Sequence, residues 1–337
     1  MKISISFATI RKGWIENTIR CLGRQTLTHK DWELVMIDDI PEDRSDYVLE
    51  LAQKENINVK WMRSKTNHWK SNRLLGNARN TGFIHSDGEL IVFLDDYTWV
   101  PETFLEEHWN RYKETGNGII GRVKTVKYQD PVNSQNDLTI IGEDDRYNIA
   151  QKNGYNAIPN PLYGWFYTFN ASAPLEALIK INGYDEEFDA TGEDDIDLGE
   201  RLTRIGINFK YIMVPKITVF HMQHGGKNPP HMGCGGQFNI KGDLAVCSKC
   251  GFEVKSAFAT TYDLDIKTPI NLPDRYGTDD VHKVPRTLYN TIYDGCWGLL
   301  ERNQRRNPCD VNLDYFDLKE ARKFKNKYPF KSNMEQI

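Results

Sequence analysis

The chain has 337 residues, is 39% hydrophobic and 12% aromatic, and carries a formal net charge of −4 at neutral pH. That composition fills a sizeable core, enough for one large α/β unit plus an appendage, and excludes polyanion binding driven by overall charge. With no apolar run approaching about 18 residues and no signal peptide ahead of the first strand, a cytosolic protein is expected, of cellular origin or made in an infected cell. Its six cysteines are then expected to be reduced.

In chain order, Lys2–Thr9 alternates apolar residues at Ile3, Ile5 and Phe7 and reads as a strand. A helix is expected near Trp14–Arg24, with Trp14, Ile15, Thr18, Ile19 and Leu22 on one face. A strand at Glu33–Asp38 follows, then a helix near Asp46–Asn56, a short strand at Asn58–Met62 and a helix carrying Arg79 and Asn80. Strands alternating with helices imply a largely parallel sheet with covered faces. Pro101 is expected to start the next helix, where its missing amide proton costs nothing. No internal repeat or low-complexity tract is present.

The most informative segment is Leu90-Ile91-Val92-Phe93-Leu94-Asp95-Asp96. Five apolar residues in a row read as a strand buried on both faces. Two adjacent carboxylates at its carboxyl end repel unless a cation lies between them. A divalent metal holding a diphosphate meets that need, since Mg²⁺ and Mn²⁺ favour oxygen ligands. A solvated turn is the plainer reading. Asp38 and Asp39 close the second strand at the same sheet edge. Thr9 and Arg11, after the first strand, are candidate nucleotide contacts.

These segments resemble the family 2 glycosyltransferases of the GT-A fold. Gly76-Asn77-Ala78-Arg79-Asn80-Thr81-Gly82 is similar to the family's G-x-A-R-N-x-G helix, and Gln25-Thr26 and Glu33–Asp39 to its earlier motifs. Gly183-Tyr184-Asp185-Glu186 and the acidic run Glu193-Asp194-Asp195-Ile196-Asp197 resemble its later ones. The resemblance covers roughly residues 1 to 225. It implies a Rossmann-like mixed sheet flanked by helices, binding a nucleoside-diphosphate sugar. Asp39 would contact the base, Asp95 the ribose, and Asp96 the Mn²⁺ or Mg²⁺; Arg79 would pair with the diphosphate or with Asp95. Asp195 would be the general base of an inverting transfer, with Asp194 positioning the acceptor and Asp197 structural. His221, expected just after the strand-like run Ile217–Phe220, would complete the metal site, with His224 as its competitor. Many family members carry a third acid where this chain has Tyr97, which bears on the choice of sugar.

Beyond residue 226, His231-x2-Cys234 and Cys247-x2-Cys250 have the spacing of a structural Cys₃His zinc site, a zinc-ribbon-like insertion over 227–256. Cys21, Cys296 and Cys309 lack partners at that spacing and are expected to be buried or incidental. Residues 257–337 form a partly helical extension, with a helix expected from Asp317. Residues 319 to 331 hold six Lys or Arg against one Glu, and Arg302, Arg305 and Arg306 form a second basic group. Such groups are solvated helix faces or contacts for nucleic acid or an anionic membrane. The expectation is a metal-dependent transferase of a UDP-sugar to a glycan, a small molecule or a modified DNA base. The alternative is a catalytically silent binding protein in which Tyr97 marks a lost metal site.

Overall fold

The computed structural model describes residues 1–9, 14–40, 42–66, 75–127, 129, 131–144, 146–148, 166–188, 193–222, 230–231, 236–241, 244–247, 253–255 and 302–333. Strands β1 (Ile3–Thr9), β2 (Trp32–Asp38), β3 (Val59–Met62) and β4 (Leu90–Asp95) are parallel, in the spatial order β3-β2-β1-β4. Helices α1 (Ile15–Leu22), α2 (Ser45–Lys54) and α3 (Leu75–His85) lie between them in sequence. The chain moves outward from β1 to β3 and then returns to place β4 on the other side of β1. That reversal opens a crevice at the carboxyl ends of β1 and β4, where open α/β sheets bind ligands.

The apolar run of β4 is buried throughout because both of its faces are covered. Leu90, Val92 and Leu94 join one core cluster, and Ile91 and Phe93 join the other. Each such side chain contributes about 1.5–3 kcal/mol relative to exposure. Helix α1 turns Ile15, Thr18, Ile19 and Leu22 inward, as its periodicity predicts. Helix α3 is buried from Gly76 through His85, since it is packed between the sheet and a carboxyl-terminal helix.

Next come β5 (Thr98–Trp99), α4 (Phe104–Thr115), β6 (Ile119–Gly121), β7 (Val123–Val126), β8 (Ile140–Glu143), β9 (Ala171–Pro174), α5 (Leu175–Lys180), α6 (Glu193–Arg204), β10 (Lys210–Ile212) and β11 (Val219–Met222). Strand β9 runs antiparallel between β4 and β6, and β10 extends that edge. A second sheet has the order β5-β11-β7-β8. Two boundaries differ from expectation. Helix α4 starts at Phe104 rather than Pro101, because Pro101 opens a turn whose carbonyl accepts the Phe104 amide at 3.1 Å and the Gln25 side chain at 2.8 Å. Residues Pro215–Ile217 form a 3₁₀ turn, so the strand begins at Val219 and His221 lies inside it.

Strands β12 (Pro230–His231), β13 (Gly236–Lys241), β14 (Leu244–Cys247) and β15 (Glu253–Lys255) make a separate antiparallel sheet in sequence order. His231 pairs with Gly236 and Cys247 with Phe238, so both fall toward the same end of β13. Cys234 and Cys250 lie outside the described residues.

Residues 302–333 form a strap across the main domain. Helix α7 (Leu318–Lys323) starts at Asp317, whose carboxylate accepts the Glu320 amide at 3.0 Å. Phe316, Leu318 and Ala321 enter the second core cluster. Strand β16 (Lys331–Ser332) pairs antiparallel with β3 and completes an eight-stranded mixed sheet. Much of the basic composition of this region is used within the chain. Arg302 pairs with Asp185 and Glu187, Lys325 with Asp87 and Lys323 with Glu320, while Arg322 donates to the Phe83 carbonyl.

Candidate active site

Two carboxylate centres meet the crevice. At the end of β4, Asp95 keeps 29% of its side chain exposed and accepts a 2.6 Å bond from Arg79. Asp96 is 2% exposed and accepts the Thr9 hydroxyl at 2.7 Å. Thr9 belongs to β1 and is itself buried, so its hydroxyl steadies Asp96. The register of β1 against β4, with Ala8 opposite Asp95, makes that contact automatic. Tyr97, in place of the third acid, is buried with φ 59°. Left-handed backbone at a bulky residue costs on the order of 1–3 kcal/mol and concentrates at functional sites. Its carbonyl accepts the Met222 amide at 2.8 Å, tying the turn to β11.

Arg79 is fully buried. Its guanidinium lies over the rings of Phe93 and Tyr184, at 5.5 and 6.0 Å from their centroids. Nε and Nη1 have no hydrogen-bond partner among the described residues. Of the two roles expected for Arg79, the structure brings it to Asp95, and the ring faces offset part of the desolvation of its charge.

Asp38 is held by Arg44 at 2.7 Å and by the Trp61 indole at 3.1 Å. Asp39, expected at the base, accepts the Ser64 amide at 2.9 Å and the Ser64 hydroxyl. Burial raises its pKa, partly offset by those Ser64 bonds. Arg11 and His224 lie outside the described residues.

The second centre sits on α6. Asp195 is buried and accepts the Thr168 amide, the Thr168 hydroxyl and the Tyr184 hydroxyl, each at 3.0 Å. Among the described residues no cation forms an ion pair with it. Burial raises its pKa above the ordinary aspartate value, the nearby Arg79 charge opposes that rise and Asp95 adds to it. Asp194, beside it, is also buried. Asp197 faces the opposite way into an ion pair with Arg201, 2.6 Å, both side chains 1% exposed. That matches its expected structural role.

Tyr184 reaches Asp195 because Gly183 has φ 70° and no room for a side chain: an added Cβ would lie 2.1 Å from the Asn80 side-chain oxygen. Asn80 accepts the Tyr184 amide at 2.8 Å and donates to Glu186, so the G-x-A-R-N-x-G helix and the Gly183–Glu186 turn are one hydrogen-bonded unit. Thr168 and Tyr184 were not singled out from sequence as partners of Asp195, although Tyr184 stands in a recognised motif. Thr168 carries no motif at all.

His221 pairs across the ladder with Thr98, two residues beyond Asp96, with its ring 6.1 Å from that of Phe169. Among the described residues no group of three or more His, Cys, Asp or Glu forms a metal cage. One or two protein ligands with substrate phosphates supplying the rest is the ordinary way Mg²⁺ is held; Asp96, in the turn after β4, and His221, on β11, are the candidate pair.

Residues 8–171 match the family model Glycosyl transferase family 2. That segment holds the β1 end, Arg79 and the Asp95–Asp96 pair. The chain is similar to validoxylamine A glucosyltransferase of Streptomyces hygroscopicus subsp. limoneus, 23% identical over 216 residues, covering 58% of this chain and 46% of the relative. It is 32% identical over 123 residues to the poly(ribitol-phosphate) beta-N-acetylglucosaminyltransferase TarP of Staphylococcus aureus (strain N315), 35% of each chain. The hyaluronan synthase of Pasteurella multocida matches at 24% over 235 residues, 62% of this chain and 23% of that one. Among solved structures, S. aureus TarS 1–349 superposes with a TM-score of 0.48 at 15% identity, covering 66% of this chain and 60% of that one. The chain spans half or less of the length of these curated relatives. No helix among the described residues is long and apolar enough to cross a membrane.

Proposed function

We propose that this protein is a glycosyltransferase that moves a sugar from a nucleoside-diphosphate sugar, UDP-linked, to an acceptor hydroxyl with inversion. The observation that carries this reading is the pairing of two unlike carboxylate centres on one crevice. Asp95 and Asp96 are set for a charged donor, and Asp195, hydrogen-bonded among the described residues to an amide and two hydroxyls, is set to take a proton. The family 2 match and the sugar transfer named for two of the relatives support it.

In this mechanism Asp195 accepts the acceptor hydroxyl's proton as that oxygen attacks the sugar's C1. Its raised pKa makes it a better base than an exposed aspartate. Thr168 and Tyr184 orient the carboxylate, and Asp194 lines the acceptor's approach. Asp39 meets the base and Asp95 the ribose, while Arg79 holds Asp95 from behind. A Mg²⁺ or Mn²⁺ ion held by Asp96 and His221 would offset the charge on the departing nucleoside diphosphate.

His231, Cys234, Cys247 and Cys250 are proposed to hold a structural zinc. Their spacing supports this, as does the placement of His231 and Cys247 toward one end of β13. Metal analysis after dialysis under reducing conditions should find one zinc per chain, and zinc-free protein would refute the site.

The test of function is a panel of nucleotide sugars scored for metal-dependent thermal stabilisation and for slow hydrolysis with Mn²⁺. Binding only to the folded state raises the melting temperature. At least one donor should do both. A folded protein that binds and hydrolyses none of them would overturn the reading.

A further inference from the structure

A cavity of about 650 Å³ opens between the β3 edge and the strap. This volume falls within the usual range for a bound small ligand. Neither carboxylate centre lines it: Asp95, Asp96, Asp194 and Asp195 are all elsewhere. Its walls carry five aromatic side chains, Trp61, Tyr315, Phe316, Tyr328 and Phe330, and all but Trp61 come from the strap. Phe330 remains 43% exposed at the rim, with the His85 ring 4.9 Å and the Lys60 amine 5.9 Å from its centroid.

The charged lining is of one sign. Arg63, Lys65, Lys327 and Lys331 face the cavity and no carboxylate does. Two of these cations are compensated nearby. Lys65 pairs with Glu186 at 2.7 Å, and Lys331 lies 3.5 Å from both Asp43 and Asp46. The other two have no carboxylate partner among the described residues. Arg63 donates to the Ile40 and Glu42 carbonyls and lies over the Trp61 ring at 5.3 Å, and Lys327 lies over the Phe324 ring at 4.7 Å. Ser64, Thr66 and Thr81 complete the wall; the Ser64 hydroxyl donates to Asp39 and that of Thr81 to the Asn77 carbonyl, which leaves each oxygen able to accept from a ligand.

Ring faces, hydroxyls and two cations without a carboxylate ion pair among the described residues together suit a sugar that carries an acid. Its C–H faces stack on aromatic rings, its hydroxyls exchange hydrogen bonds with Ser and Thr, and its anion meets Arg63 and Lys327. A metal-bound nucleotide is a poorer match, because the walls offer no carboxylate to hold the metal. We propose that this cavity is a second carbohydrate site, which seats an anionic sugar unit of the acceptor glycan away from the reacting hydroxyl. The proposal rests on the transferase reading for the word acceptor, but the binding site itself does not depend on it.

Titration calorimetry on the full chain would use three probes: a uronic-acid tetrasaccharide, a sugar-phosphate dimer, and a neutral tetrasaccharide of matched length. One or both anionic probes should bind, weakening as salt is raised, and the neutral one should bind far less. Whichever anion binds identifies the acid the acceptor carries. Lys327→Glu, at an exposed position, should weaken anionic binding on the order of tenfold with an unchanged melting temperature. Phe330→Ser should weaken all sugar binding. Equal binding of neutral and anionic probes, binding of UDP with the same sensitivity to Lys327→Glu, or no glycan binding at all would overturn the proposal. Donor hydrolysis measured in the same preparation separates the two readings. Hydrolysis without glycan binding removes only the second site, and anionic glycan binding without hydrolysis removes only the transferase.

Discussion

The two carboxylate centres of the crevice are built on opposite electrostatic plans. Asp95 and Asp96 end a strand, and Asp95 is part-exposed and answered by a buried guanidinium. Asp195 sits on a helix, is buried, and among the described residues accepts hydrogen bonds from an amide and two hydroxyls, with the Arg79 charge acting on it from nearby. A cation beside a carboxylate stabilises its charged form, which suits a site that must stay ionised under a diphosphate and its metal. Burial among neutral donors favours the protonated form, which suits a group that must accept a proton. The same residue type thus serves two tasks because its surroundings differ.

The sharpest break in this comparison is Asp96→Asn. It should abolish metal-supported donor binding and turnover and leave the fold intact, as judged by circular dichroism and by donor titration with and without Mn²⁺. Unchanged turnover with the same metal dependence would remove Asp96 from the donor site.

Asp195→Asn should instead keep donor affinity and lower kcat by about 10²–10⁴, the usual range for losing a general base. A variant that loses donor binding but turns over normally at saturation would place Asp195 in the nucleotide site.

The pH dependence follows from the direction of the Asp195 shift. Its pKa lies above the ordinary 3.8, so kcat should fall as the pH drops through that raised value, and this limb should vanish in Asp195→Asn. Stability moves the other way. The folded state binds this proton more tightly than the unfolded chain, so the wild type loses stability as pH rises from 3.8 through the raised value. Melting curves should therefore show the Asn variant gaining on the wild type across that window. A constant gap would mean the Asp195 carboxylate is not destabilised by burial.

The smallest effect concerns the strap. The Asn303 amide donates to both Asp185 and Asp197, at 2.8 Å each. Asn303→Ala leaves two buried carboxylates short of a donor and should cost about 1–3 kcal/mol in denaturant unfolding. Because Asp197 shares α6 with Asp195, kcat should fall modestly while donor KM holds. An unchanged stability would show that Arg302 and Arg201 satisfy those carboxylates alone.

What the residues declare by themselves is whatever depends on neighbours in the chain. The buried run of β4, the order of β1 through β4, the acidic start of α6 and the Asp317 cap are local patterns, and each is found where its pattern puts it. Even the resemblance to family 2 glycosyltransferases rests on short motifs in order. The roles of charged side chains are another matter, because charge is set by contacts across long separations. Arg302 reads as part of a solvated basic group until Asp185, 117 residues away, accepts from it and from the neighbouring Asn303. Arg79 reads equally as a partner of the diphosphate or of Asp95, and the fold brings it to Asp95 with the Phe93 and Tyr184 rings beside it. Thr168 gives no signal, since an amide and a hydroxyl become specific only when a turn presents them to Asp195. The cavity under the strap exists only because β16 returns to β3, which no local pattern in a short Lys-Ser pair encodes. Periodicity acts between near neighbours and survives in one dimension, whereas desolvation and pairing depend on which distant groups share a dry interior.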